Sequence, residues 1–145
     1  MAIVYFDASA LVKLLVEESG SDTAAALWDG CDAAVSSRLA YPEVCAALAA
    51  AGRNHDLDEH SLASCERHWE DLWAAMRPVE FTPPVERSAG RLAKRHGLRG
   101  VDAVHLASAL EIGTADVIMA VWDRRLHAGA VAESLSVAPS SPPHA

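Results

Sequence analysis

Apolar residues recur along the chain at two periods, and each change of rhythm marks the passage from a short strand to a helix or back. Ile3 to Phe6 is a β-rich apolar run, and Ser9 to Glu17 follows with Leu11, Leu14 and Leu15 on one helical stripe. Ser21 and Asp22 predict the cap of a second helix that passes Trp28 and stops near Gly30. Ala33 to Ser36 predicts a second strand, and Pro42 suits the first turn of an alanine-rich helix that ends at Gly52. From Asp58 to Met76 the residues Leu62, Cys65, Trp69, Leu72, Trp73 and Met76 keep to one face of a long amphipathic helix. Val79 to Phe81 reads as a third strand, and Pro83 and Pro84 open a helix that Gly97 closes. Val101 to Ile112 predicts a helix closed by Gly113, Val117 to Trp122 a strand, Arg124 to Ala132 a helix, and Leu135 to Val137 an edge strand. Residues 1–138 thus form a single domain, and the Pro/Ser-rich residues 139–145 are expected to be a disordered tail.

Short apolar strands separated by helices imply a parallel sheet covered on both faces, because parallel neighbours need crossover connections. The expected fold is therefore three-layer α/β/α with a central parallel sheet of four to five short strands. In such sheets ligands collect beyond the carboxyl ends of the strands, where the strand order reverses. Asp7 follows the first strand directly and Asp123 follows the strand Val117 to Trp122. Asp116 precedes that strand, which makes Asp123 the better candidate. Glu43 lies in the first turn of the helix of Pro42, and Asp102 in the first turn of the helix Val101 to Ile112. Taken one at a time, all four acids stand where a carboxylate caps amides or suits the helix dipole, a contribution of about 0.5–2 kcal/mol. Sequence spacing alone does not separate that role from chemistry.

Composition narrows the choice. Twelve Lys and Arg against twenty Asp and Glu leave a formal charge of −8. That balance excludes a protein that holds nucleic acid mainly by bulk positive charge, and leaves room for a local basic patch. Cys31, Cys45 and Cys65 are odd in number and contain no Cys-x-x-Cys pair, so neither a disulfide framework nor a four-thiolate zinc site is encoded. No apolar run reaches the ~18 residues of a membrane span, and the N-terminal run meets Asp7 and Lys13 without a basic leader. The expected location is the cytoplasm.

Four segments carry a family resemblance: Ile-Val-Tyr-Phe-Asp7-Ala-Ser9-Ala-Leu-Val-Lys-Leu, Ser37-Arg-Leu-Ala-Tyr-Pro-Glu43-Val, Leu-Arg-Gly-Val-Asp102-Ala-Val-His105-Leu-Ala and Val-Trp-Asp123-Arg-Arg-Leu. In this order, over roughly residues 2 to 137, they resemble the motif regions of the PIN-domain nucleases, especially the small VapC-type toxins of bacterial toxin–antitoxin pairs. The resemblance implies a metal-dependent endoribonuclease that leaves a 5′-phosphate and a 3′-hydroxyl. It implies Asp7, Glu43, Asp102 and Asp123 as catalytic acids and metal ligands, with Ser9 and Ser37 as supporting polar residues. It also implies a VapB-like antitoxin whose C-terminal segment lies over the site, and, together with the tryptophan-bearing helix, a homodimer. Physical chemistry agrees with the metal. Two bare carboxylates at about 4 Å repel by about 4 kcal/mol at an effective dielectric near 20, so a four-acid cluster calls for a cation. Hard Mg²⁺, with Mn²⁺ as a substitute, takes such oxygen ligands and activates water. Asp7 and Asp102 are assigned as principal ligands, and Glu43 and Asp123 as holders of a second ion or of the attacking water.

An acidic chain must grip RNA locally. Arg38, Arg124, Arg95 and Arg99 are the candidate phosphate contacts, although Arg91, Lys94 and Arg95 equally suit a solvated helix C-terminus. His105 shares a helix face with Asp102, and a core or hydrogen-bonding role is favoured for it because Mg²⁺ prefers oxygen. Cys65 and His68 read as helix surface and core, and Trp69 and Trp73 as either core or protein interface. Two other functions fit the residues less well. An aspartyl-phosphate phosphohydrolase needs an acid at position 9, which is Ser9 here; a catalytically silent PIN-fold interaction module would not need four acids.

Overall fold

Four apolar residues form strand β1 (Ile3–Phe6), and Asp7 ends it by capping helix α1 (Ala8–Leu15). Helix α2 (Ser21–Gly30) leads to β2 (Ala33–Ser37), followed by α3 (Ala40–Arg53), α4 (Glu59–Ala75) and β3 (Arg77–Val79). The second half runs α5 (Pro83–His96), α6 (Gly100–Ile112), β4 (Val117–Ala120), α7 (Arg124–Ala132) and β5 (Ser136–Ala138). The structure, a computed structural model, describes residues 1–143.

The five strands are all parallel, in the order β3-β2-β1-β4-β5. The chain winds outward from β1 through β2 to β3 and resumes at β4 on the other side, so the order reverses between β1 and β4. That gap is where a crevice opens at the carboxyl ends of such a sheet. Phe6 pairs with Ala120 across it, which sets Asp7 and Asp123 just beyond two adjacent strand ends.

Strand alternation divides the apolar residues between two cores. Val4 and Phe6 face Leu11, Val44, Leu48 and Trp69, so α1 to α4 cover one side of the sheet. Tyr5 faces Leu92, Leu106 and Leu126, so α5 to α7 cover the other. Helix α6 is buried continuously from Ala103 to Ala109 beneath α5 and α7, which holds its N-terminal turn firmly at the carboxyl edge. Among the described residues no helix is long and apolar enough to cross a membrane.

The three-layer parallel architecture matches the expectation, and several boundaries move. Strand β3 is Arg77–Val79 rather than Val79–Phe81: Pro78 sits opposite Ser36 on the sheet margin, where a strand can lack an N–H donor, and Phe81 is left 48% exposed. The cap of α2 is Gly20 at φ 92°, not Ser21 or Asp22. A side chain at position 20 would come within 2.7 Å of Trp122 Nε1, while the Ser21 hydroxyl donates to the Val16 carbonyl instead. Strand β4 ends at Ala120 and β5 shifts by one residue, with the Val121 amide still bonded to the Ala138 carbonyl at 2.9 Å. Beyond β5, residues 140–142 are exposed, and two contacts mark the ends of 139–143. His127 Nε2 meets the Pro139 carbonyl at 2.7 Å and Pro143 is buried; residues 144 and 145 lie outside the described residues.

Candidate active site

The site grows from helix starts gathered at one edge of the sheet. Asp7 accepts the Ala10 amide and the Ser9 hydroxyl on Oδ1, both at 2.8 Å, and Ser9 also reaches Oδ2 at 3.0 Å. The carboxyl is only 4% exposed. Burial pushes it above the ordinary carboxylate range; His105 and the bonds from Ala10 and Ser9 pull it back, and the charge of Asp102 adds to the rise. Asp123 caps α7 through the Leu126 amide at 2.9 Å. Ser37 ends β2, and its hydroxyl accepts the Leu39 amide at 3.1 Å, turning the chain into α3 and bringing Glu43 to the same edge.

Asp102 stands in the first turn of α6, where Oδ2 accepts Arg99 Nε at 3.0 Å. That bond is the main reason the Arg99 guanidinium holds its proton more tightly than usual, and the charges of Asp102, Asp123 and Glu43 add to it. Arg99 therefore lies in the field of three of the four acids, and Asp7 in the field of Asp102. These electrostatic links join acids that are far apart in the chain, Asp7 with Asp102, and Asp102, Asp123 and Glu43 through Arg99.

A buried chain of polar groups braces this edge from within. Tyr5 Oη lies 2.7 Å from His105 Nδ1, and His105 Nε2 lies 2.6 Å from Glu43 Oε1. The side chain of His105 is 2% exposed. A carboxylate only accepts, so Nε2 donates to Glu43. Burial pushes the Tyr5 phenol above its ordinary value, so the phenol keeps its proton beside Nδ1. His105 thus spans Tyr5 and Glu43 and fixes the direction of the Glu43 carboxylate. His105 takes the hydrogen-bonding role favoured for it, whereas Tyr5 gave no local signal of its part, being one apolar-facing residue of a strand.

Among the described residues no three Asp, Glu, His or Cys side chains stand close enough to hold a metal ion as they are. Each acid is drawn instead to its own protein partner: Asp102 to Arg99, Glu43 to His105, Asp123 to its helix amide. These bonds use one oxygen of each of the three side chains. The donor set itself, carboxylate oxygens with a buried Asp7 whose charge lacks a full partner, suits a hard divalent cation.

The candidate RNA contacts divide in two. Arg99 and Arg124 stand at the acid edge, one on Asp102 and the other exposed immediately after Asp123. Arg38 is paired with Glu80, and Arg95 with Glu133 at 3.0 Å. The first pair is exposed on both sides and weakly held, so a phosphate can displace it; in the second, Glu133 is largely buried and also meets His96 Nε2 at 2.8 Å. Away from the edge, Trp69 is buried against Tyr41 and Trp73 with ring centroids 5.5–5.9 Å apart, so it closes the core. Cys65 Sγ donates to the Leu15 carbonyl, and His68 is exposed on the helix surface.

A parallel sheet in this order, with acids beyond its central strands, defines a class, and comparison with known proteins gives that class its family. The PIN domain model matches residues 4–130, and the chain belongs to the PIN-domain family. It is 68% identical over 140 residues to ribonuclease VapC49 of Mycobacterium tuberculosis strain H37Rv, covering 97% of each chain. Its fold is similar to PAE2754 from Pyrobaculum aerophilum, with a TM-score of 0.72 at 21% identity over 96% of this chain and 85% of that one. A toxin–antitoxin complex from Klebsiella pneumoniae matches with a TM-score of 0.63 at 17% identity, over 89% of this chain and 92% of that one.

Proposed function

We propose that the chain is a divalent-metal-dependent endoribonuclease and the toxin of a toxin–antitoxin pair, acting in the cytoplasm. One observation carries the reading: near-complete coverage at 68% identity by a protein named a ribonuclease, in a chain whose Asp7 and Asp123 lie just beyond the paired ends of β1 and β4. Asp7 and Asp102 would hold Mg²⁺, or Mn²⁺ in its place, and Glu43 and Asp123 a second ion or its waters. Such an ion, when bound, lowers the pKa of water and offsets charge on the phosphate oxygens.

The chain's own groups do the rest. Ser9 and the Ala10 amide orient Asp7, and Ser37 sets the turn that delivers Glu43. His105 fixes the Glu43 carboxylate, so that its free oxygen is the one that accepts a proton from attacking water or holds that water in line. Arg99 and Arg124 receive the phosphate, with Arg38 and Arg95 farther along the RNA. Asp102 and Arg99 are paired in the structure, and a cation held by Asp102 would supply the charge that Arg99 now supplies and would free the guanidinium for phosphate. Attack of the water oxygen on phosphorus breaks the P–O3′ bond, the water gives up a proton and the leaving 3′-oxygen takes one from solvent, so the products are a 5′-phosphate and a 3′-hydroxyl.

The partner is an antitoxin of the VapB type, in keeping with the similarity to the Klebsiella toxin–antitoxin complex. An acidic edge attracts an Arg or Lys from that partner, much as Arg99 already lies on Asp102. A homodimer is the proposed form of the toxin alone. The test is RNA 5′-end mapping after brief induction of the wild type beside Asp102→Asn. New 5′-phosphate ends in the wild type alone support the reading, and identical maps end it in favour of a catalytically silent PIN-fold interaction module.

A further inference from the structure

Helix α5 is the most sharply two-faced element of the fold. Val85, Ala89 and Leu92 are buried in the core, and Arg87, Arg91 and Lys94 stand exposed on the opposite face at spacings of four and three. None of these three cations lies within 4 Å of a carboxylate among the described residues, whereas Lys13, Arg38, Arg95 and Arg99 all do. A chain of net charge −8 thus keeps three unpaired positive charges within about 10 Å along one helix.

Gly90 sits among them, in mid-helix, where glycine is among the least favoured residues. Neither usual reason for it applies. Its φ is not positive, and a Cβ built there meets nothing within 4 Å. With Glu86, Arg87, Arg91 and Lys94 it lines a shallow depression of about 450 Å³. A missing side chain at the floor of a basic depression lets a ligand approach the helix backbone closely. One turn past Lys94, Gly97 ends the helix at φ 62°, and Arg125 Nη1 bonds its carbonyl at 3.4 Å. Arg99 on Asp102 follows, so cations continue from this face to the acid edge.

We propose that the outer face of α5, Arg87, Arg91 and Lys94 around Gly90, binds the phosphate backbone of single-stranded RNA flanking the scissile bond. The inference rests on the ribonuclease reading above. A polyanion is the occupant that unpaired cations fit; the same face of a second copy would meet like charge. RNA rather than an acidic protein is favoured because the track ends at the residues that process phosphodiesters. The backbone contact adds affinity without sequence preference and falls with salt.

The test compares wild type, the triple variant Arg87→Gln/Arg91→Gln/Lys94→Gln, and Gly90→Ala. Binding of labelled single-stranded RNAs of roughly 20 and roughly 6 nucleotides is followed by anisotropy in EDTA across salt, and cleavage in Mn²⁺. The triple variant is expected to bind the longer RNA about tenfold more weakly and to flatten the log K against log salt slope by about 2, with the shorter RNA unaffected. Gly90→Ala is expected to melt higher and yet bind the longer RNA more weakly. Wild-type affinity and slope in the triple variant overturn the inference, as does a higher melting point in Gly90→Ala with unchanged binding. A triple variant that loses polyglutamate binding but keeps RNA binding overturns it in favour of an acidic protein partner. If wild type cleaves both RNAs and the triple variant matches it, the inference alone fails. If wild type cleaves neither, the ribonuclease reading falls and takes this inference with it.

Discussion

Asp7 at the start of α1 and Asp58 at the start of α4 are the same local structure in two settings. Both have extended backbone, at φ −75° with ψ 174° or 172°, and both accept the amide three residues on, at 2.8 and 2.7 Å. Asp58 is exposed, and its bonds to Ser61 hold its carboxyl below the ordinary range. Asp7 makes the same bond and gains another from Ser9, yet burial pushes its carboxyl the opposite way. A cap becomes a candidate ligand when the fold removes water from it and places Asp102 and His105 nearby. Identical hydrogen bonds do not make identical acids.

Breaking the two caps in turn is the sharpest test. Asp7→Asn keeps an oxygen for Ala10 and Ser9 but loses the charge, and is expected to lower Mn²⁺-supported RNA cleavage at least about 100-fold. Asp58→Asn is expected to leave the same rate within about twofold, since Asn is an equally good cap. Comparable losses in both would mean that stability, not chemistry, was being measured.

The next largest effect lies behind Asp7. His105→Ala removes the group that orients Glu43 and leaves the Tyr5 hydroxyl and the Glu43 carboxylate without their shared partner. Such supporting partners are worth 10–100-fold in metal affinity or activity, so Mn²⁺ affinity measured by calorimetry should fall by about that factor. Tyr5→Phe, which keeps His105 and loses only the outer bond, should fall less. Unchanged Mn²⁺ affinity in His105→Ala would remove its positioning role.

Melting in chelator across pH separates the two acids by sign. The folded Asp7 carboxyl titrates above its unfolded value of 3.8, so in that window the native state binds more protons than the unfolded one. Stability from Asp7 therefore falls as pH rises from the unfolded value through the raised folded one, and stays low at neutral pH. Asp58 has the reverse sign: its contribution is present above 3.8 and is lost as pH falls through the lowered folded value. At neutral pH in EDTA, Asp7→Asn should melt higher than wild type, and saturating Mn²⁺ should raise the wild type much more than the variant. A variant that melts lower at every pH would contradict the burial argument. The smallest effect is expected for Asp58→Ala, which loses only a cap and should lower Tm by about 2–4 °C without altering cleavage.

Much of this was legible before any coordinates. The order of strands and helices follows from periodicity, whereas the four acids, each also a plausible cap or first-turn residue, are singled out by the family resemblance of the segments that hold them. The errors have local causes with distant origins. Pro78 belongs to β3 only because that strand lies at the sheet margin, and Gly20 caps α2 because Trp122, about a hundred residues on, occupies the space of a side chain. Tyr5 showed nothing of its bond to His105, since the two are 100 residues apart and alternation marks Tyr5 only as core. Arg38 and Arg95 gave no sign of Glu80 and Glu133, their partners across the surface.

What the chain determines by itself is whatever contacts within about four residues can set: where helices start, which face of each is apolar, and that Asp7, Asp58 and Asp123 each cap a helix. Tertiary structure alone decides which of those caps loses its water and which acids share one field. Solvation and charge depend on neighbours in space, and those neighbours are assigned by a strand order that sets β4 beside β1.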